Sequence, residues 1–219
     1  MAKTFLELVQ RLAQEAGIGS GPTTVIAQTG EYLRCVNWVK TAYEEIQGVH
    51  PDWLFLRKDL TFSTTSLSIV ITDLGAYKKD SFRCYLTATG VSDEQMLDYI
   101  PWDEFKEVYD IGSSRTQTGR PSIITARPND NSLYIWPISD ADYTVVGEYY
   151  SSPHAMTLDT SDPIFPQHHM AIVWKALTYY GAYSSEPDKF AHGNDQYGKL
   201  LAKMELSQLP DIIWGDQYV

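Results

Sequence analysis

Apolar positions recur at helical spacing near both ends of the chain and follow strand-like patterns through its middle. Phe5, Leu8, Val9, Leu12 and Ala16 mark one face of a helix over 5–16. Thr4 followed by Glu7 gives that helix a capping-box start. Gly17-Ile18-Gly19-Ser20-Gly21-Pro22 ends it. A second helix is predicted over 31–47 from Leu33, Val36, Val39, Tyr43 and Ile46, with Gly48 and Pro51 as its terminators.

The pattern changes after His50-Pro51-Asp52-Trp53. Segments 60–64, 67–72 and 81–87 are rich in Thr, Ile, Val, Phe and Tyr and read as strands. Trp102, Phe105 and Tyr109 share a face of a short helix over 102–109. The Gly-, Ser- and Thr-rich stretch 111–121 has no periodic face and reads as an exposed loop. Strands at 122–126 and 132–136 flank the turn Arg127-Pro128-Asn129-Asp130-Asn131, and a turn at 139–142 leads into a third strand over 143–150. Together these three suggest an antiparallel meander, with Pro137 ending the middle strand or lying on an edge.

Segment 151–163 is a polar connector, and helical spacing resumes after Pro166 with Met170, Val173, Trp174, Leu177 and Gly181. Pro187 is suited to the first turn of a last helix, whose Phe190, Asn194, Tyr197, Leu201 and Met204 form a seam that stops near Pro210. Each amphipathic pair must bury its apolar face. The expected class is therefore α+β: a discontinuous four-helix bundle from 1–57 and 163–207, an inserted antiparallel β-rich domain over 58–162, and a C-terminal interaction tail over 208–219. Its bundle core is expected to use Leu8, Leu12, Val36, Val39, Tyr43, Val173, Trp174, Leu177, Tyr197, Leu201 and Met204.

Composition narrows the function. With 219 residues, 43% hydrophobic and 13% aromatic, the chain can build one good core or two small ones. Asp and Glu total 28 against 17 for Lys and Arg, a formal charge of -11 that weakens any reading as a general nucleic-acid coat. Cys35 in a helix pattern and Cys84 in a strand pattern read as buried thiols. No apolar run approaches the roughly 20 residues that span a bilayer. Glu7, Gln10, Arg11, Gln14 and Glu15 interrupt any signal-peptide core, so a soluble, non-secreted protein without a membrane partner is expected.

Candidate chemistry is sparse. His168 and His169 are neighbours on the chain, not the i, i+4 pair of a zinc helix, although His192 could approach either one. The glycine run lacks the Gly-Lys-Ser/Thr ending of a phosphate loop. Asp93, Glu94, Asp98, Asp103, Glu104 and Glu107 read as a solvated acidic face. No catalytic, metal or cofactor site is assigned, and no enzyme is expected. Trp136, Tyr143, Tyr149 and Tyr150 could form a carbohydrate- or nucleic-acid-stacking platform, with sheet packing the stronger reading because alternation turns part of the set inward. Ile212, Ile213, Trp214 and Tyr218 make an apolar terminal segment that reads as a partner contact. Arg115 and Arg120 could order the 111–121 loop against another subunit.

Across 4–206 the chain resembles the tailed-bacteriophage head–tail adaptors, also called connectors or head-completion proteins. The resemblance opens with Thr4-Phe5-Leu6-Glu7-Leu8-Val9-Gln10-Arg11-Leu12, Gln28-Thr29-Gly30-Glu31 and Val36-Asn37-Trp38-Val39. It continues through Gly119-Arg120-Pro121, Leu133-Tyr134-Ile135-Trp136-Pro137, Asp142-Tyr143 and Glu148-Tyr149-Tyr150. Pro163-Ile164-Phe165-Pro166 and Ile172-Val173-Trp174-Lys175-Ala176-Leu177 close it.

This resemblance implies a virion protein at the head–tail interface, assembled in the host cytoplasm. It implies a homo-oligomeric ring of about twelve copies beneath the portal protein, added after DNA packaging. Such a ring docks a tail-completion, tail-tube or nozzle component, and DNA passes through without sequence-specific binding. A tail-completion or baseplate subunit, and a soluble carbohydrate-binding module, are the alternative readings.

Overall fold

The computed structural model describes residues 3–64 and 68–209. The chain divides into a helical unit, Met1–Leu56 with Pro153–Val219, and a β-rich unit, Arg57–Ser152.

The helical unit contains α1 (Phe5–Ala16), α2 (Gly30–Gly48), α4 (Met170–Ser184) and α5 (Pro187–Gln208). The capping box of α1 is complete: the Glu7 amide donates to Thr4 Oγ1 at 3.3 Å and the Thr4 amide donates to Glu7 Oε2 at 3.0 Å. Gly17 caps the other end with φ 74. The chain then folds back so that a Cβ on Gly21 would meet the Cα of Gln10 at 2.6 Å, and only glycine fits there. Helix α4 is central, packing against α1, α2 and α5. Phe5, Leu8, Leu12, Val36, Val39, Ile172 and Val173 fill the resulting core.

Segment 153–162, expected within the inserted β-rich domain, belongs with the helical unit. The amides of Phe5 and Leu6 donate to the carbonyls of Ser161 and Asp159. The Asp159 carboxylate accepts from the Thr24 hydroxyl and the Val25 amide at 2.8 and 2.6 Å. Phe165 is buried against Tyr43 and Phe55.

The β-rich unit contains β1 (Arg57–Ser63), β2 (Ser68–Ile69), β3 (Leu74–Tyr77), β4 (Arg83–Leu86), β5 (Gln95–Met96) and β6 (Asp98–Tyr99). After α3 (Trp102–Val108) come β7 (Thr118–Gly119), β8 (Ile123–Ala126), β9 (Leu133–Trp136), β10 (Ile138–Ser139) and β11 (Tyr143–Ser151). Strand β11 is the spine of the larger sheet. It pairs with β1 along one side and with β4 and then β3 along the other, all antiparallel. A second sheet has the order β2-β9-β8-β6. Phe62, Phe82, Cys84, Leu97, Ile124, Leu133 and Val145 form the core of this unit.

The expected meander does not form. Strands β8 and β9 are an antiparallel hairpin, but β11 leaves them for the other sheet. Pro137 lacks an amide donor, and beyond it the chain makes a brief parallel pairing of β10 with β7 before β11 begins. The 111–121 stretch is mostly exposed, yet it holds a 3₁₀ turn over Gly112–Thr116 as well as β7.

Candidate functional site

A groove of about 240 Å³ opens on the β-rich unit, its walls supplied by α3 and its C-terminal end on one side and by β9 on the other. Trp102 and Phe105 stack at 5.7 Å between ring centroids, Trp102 meets Tyr134 at 5.4 Å, and Tyr109 meets Trp136 at 4.6 Å. Aromatic rings in such offset and tilted pairs hold one another in place. The 3₁₀ turn adds a lock, because the Trp136 indole N–H donates to the Ser114 carbonyl at 3.0 Å. Arg115 completes the wall: its Nε donates to an Asp110 carboxylate oxygen at 2.7 Å and a terminal nitrogen donates to the Asp110 carbonyl at 2.7 Å.

The charge around the groove follows from helix geometry. At about 100° per residue, Trp102, Phe105 and Tyr109 lie within a narrow arc facing the groove. Asp103, Glu104 and Glu107 then fall on the far side of α3, whereas Lys106 and Val108 flank the aromatic arc. Lys106 is exposed and has no ion pair among the described residues. A net acidic protein therefore presents an apolar groove with Lys106 and Arg115 at its margin.

Arg120, expected to face a partner, lies in an internal clamp. One terminal nitrogen donates to both Asp93 carboxylate oxygens at 2.9 and 2.8 Å, and the other donates to the carbonyls of Cys84 and Asp93 at 3.1 and 2.6 Å. The Leu86 amide and then Arg120 hold the Asp93 carboxyl below its ordinary range. Lys58 first, and Tyr149 with it, lower Asp73 against the opposing effect of burial. Burial alone would raise Glu148, yet hydrogen bonds from Arg57 and Lys78 bring it below its ordinary range.

A carboxyl with a depressed pKa contributes stability that is present above its unfolded pKa and lost as pH falls through its folded value. The β-rich unit should therefore loosen progressively on acidification below the ordinary carboxylate range. Arg120→Ala should lower its unfolding midpoint at neutral pH and flatten part of that acid dependence. Amide exchange of β4 across a pH series reads both effects; an unchanged profile in the variant would contradict the clamp.

The remaining positions separate clearly. Tyr143 and Tyr149 are buried, their hydroxyls donating to Asp140 and Asp73, so they share no exposed platform with Trp136. Trp102, Phe105, Tyr109 and Tyr134 are the groove residues that sequence periodicity did not connect to Trp136. Cys35 and Cys84 are buried thiols pushed up to about 11, chiefly by burial. His169 is a packing residue: the Lys3 backbone amide donates to its Nδ1 at 3.0 Å and its Nε2 lies 2.8 Å from the Phe165 carbonyl. His192 meets the edge of Trp174. Among the described residues no group of three or more His, Cys, Asp and Glu is arranged to hold a metal, and no helix is long and apolar enough to cross a membrane.

Leu8, Leu12, Val36, Val39, Tyr43, Val173, Leu177 and Met204 are buried, whereas Trp174, Tyr197 and Leu201 are half-buried. The reason lies in how α5 meets α4. A Cβ on Gly193 would come within 2.9 Å of the Trp174 carbonyl, and one on Gly181 within 2.6 Å of the Phe190 amide nitrogen. Close backbone approach at these two glycines centres the contact on Gly193 and leaves Phe190 and Asn194 at its exposed margin. Ile212, Ile213, Trp214 and Tyr218 lie outside the described residues.

The ordered strings quoted above thus carry both cores, the Arg120 clamp and part of the aromatic groove. The family model for the SU10 adaptor protein matches residues 3–213, nearly the whole chain. The chain belongs to that family. It is a bacteriophage virion protein with a head–tail adaptor role in phage assembly. No curated protein matches the chain.

For this adaptor the strings acquire physical meaning. Arg120 of Gly119-Arg120-Pro121 ties the turn at Asp93 to β4. In Leu133-Tyr134-Ile135-Trp136-Pro137, Leu133 and Ile135 face the core while Tyr134 and Trp136 line the groove. Ile164 and Phe165 close over Tyr43, the Ile164 amide donating to the Tyr43 hydroxyl at 3.0 Å.

Proposed function

We propose that this adaptor assembles as a ring of about twelve copies beneath the portal after DNA packaging, matching portal symmetry. Its ring body is helical, and it provides the platform on which a tail-completion, tail-tube or nozzle component docks. DNA passes through without sequence-specific binding. Membership of the adaptor family over 3–213 carries this reading. The charge of -11 agrees with a passage that does not retain the duplex, since a basic wall would bind phosphate.

The work is assembly without covalent chemistry. Each subunit makes a modest contact, and closure of the ring makes those contacts multivalent, so the assembled layer holds far more tightly than one copy. The terminal segment around Ile212, Ile213, Trp214 and Tyr218, together with Arg115, supplies contacts to partners. Deleting 211–219 should weaken association with DNA-filled heads or between copies, as read by co-sedimentation and analytical ultracentrifugation. Association unchanged by the deletion would remove the segment from the contact set.

A further inference from the structure

We infer that the aromatic groove between α3 and β9 receives the C-terminal segment of a second copy, with Trp214 as the inserted side chain and Asp211 and Asp216 facing Lys106 and Arg115. This rests on the oligomeric reading above and names one of its subunit contacts.

Three observations converge on that occupant. The first is size and lining: a dry apolar cavity of about 150 Å³ holds a benzene ring, and this groove, at about 240 Å³ and walled by Trp102, Phe105, Tyr109 and Trp136, has room for an indole. Its walls are fixed by their own ring pairs and by the Trp136–Ser114 hydrogen bond, so little ordering is required on binding. The margin extends the apolar surface, because Val108 and Ile111, either side of Tyr109 and Asp110, are 52% and 59% exposed.

The second is charge. The carboxylates of α3 face away from the groove, leaving Lys106 without an ion pair among the described residues and Arg115 paired to Asp110 but 64% exposed. The segment Pro210-Asp211-Ile212-Ile213-Trp214-Gly215-Asp216-Gln217-Tyr218-Val219 carries two carboxylates and no cationic side chain. Its acids flank the apolar residues at a spacing that places one on each side of an inserted Trp214. Opposite charge at the rim aligns the segment, and burial of the indole supplies most of the affinity.

The third is reach. Helix α5 ends at Gln208, and the chain from there to Trp214 can extend about 20 Å at most. A segment of that length can bridge to a neighbouring subunit in a closed assembly.

Disulfide trapping between full-length chains tests this. One population carries Gly215→Cys beside an intact Trp214; the other carries Ile111→Cys at the groove margin; Val91→Cys, exposed on the same unit but outside the groove lining, is the control acceptor. The native Cys35 and Cys84 are buried. After mixing in a glutathione buffer, the Gly215→Cys–Ile111→Cys heterodimer should exceed the control about fivefold, and Trp214→Ala in the donor should return it to control level. Lys106→Glu in the acceptor, a surface change that leaves the groove walls intact, should also reduce it.

Yields equal to the Val91→Cys control overturn the assignment. So does a yield indifferent to Trp214→Ala. Ring formation on particles is read separately by microscopy, so failure of this contact and failure of the ring reading are distinguishable.

Discussion

Trp53→Ala should lower the stability of the helical unit by about 3–5 kcal/mol, the range for emptying a large buried aromatic site. Trp53 is completely buried. Its indole N–H donates to the Ile46 carbonyl at 3.1 Å near the end of α2, and its ring lies 5.2 Å from Phe55 and 4.9 Å from His50. Alanine leaves a cavity and also strips the Ile46 carbonyl of that donor in a place water cannot readily reach. Trp53→Phe should recover much of the packing but not the hydrogen bond. Urea unfolding followed by amide exchange in α2 reads the difference, and a loss below about 1 kcal/mol would show that the site relaxes far more than its burial implies.

Gly147→Val should be comparably severe in the β-rich unit through the opposite mechanism. A Cβ at position 147 would sit 2.4 Å from Phe82 Cδ1 and 2.6 Å from Cε1. The Phe82 ring is completely buried, so displacing it must push on the side chains packed around it. The strand cannot easily withdraw either, because β11 pairs with β1 at Leu60 and is flanked on its other side by β4 and β3. Overpacking of this kind costs about 1–3 kcal/mol, more where nothing yields. Valine exceeds the minimal insertion and should reach the upper end. Phe82→Leu should partly rescue Gly147→Ala, giving a favourable coupling in a double-mutant cycle. Strict additivity would mean that the two side chains do not compete for the same space.

The contrast between these sites explains what sequence made readable. Helix α1 was legible to its ends because its determinants are local: Thr4 and Glu7 at the start, Gly17 at the stop, and a continuous apolar face between them. Pro187 marked the start of α5 for the same reason. Strand β11 was legible as an alternating run, but its partners were not, since pairing with β1, β3 and β4 depends on distant segments. Pro137 showed where β9 ends and carried no information on which sheet the chain would enter next.

The groove was less visible still. Trp102, Phe105 and Tyr109 read as one helix face, and Trp136 as a candidate stacking residue, but nothing local joins the two sets. They meet because β6 pairs parallel with β8, β8 pairs antiparallel with β9, and α3 packs on β8. Arg120 shows the converse. An arginine in a Gly- and Ser-rich loop reads as exposed, while its actual acceptors, Asp93 and the Cys84 carbonyl, lie well before it in the chain. The resemblance to head–tail adaptors lies in the order of many short strings along the chain and depends on no single contact.

Cryo-electron microscopy of virions, with this adaptor located in the density, reads its place and copy number. A closed layer of about twelve copies immediately below the portal, with an open axial passage for DNA, is the expected result. Density at another level of the tail, or absence of the protein from particles that contain the portal and tail components, would contradict it.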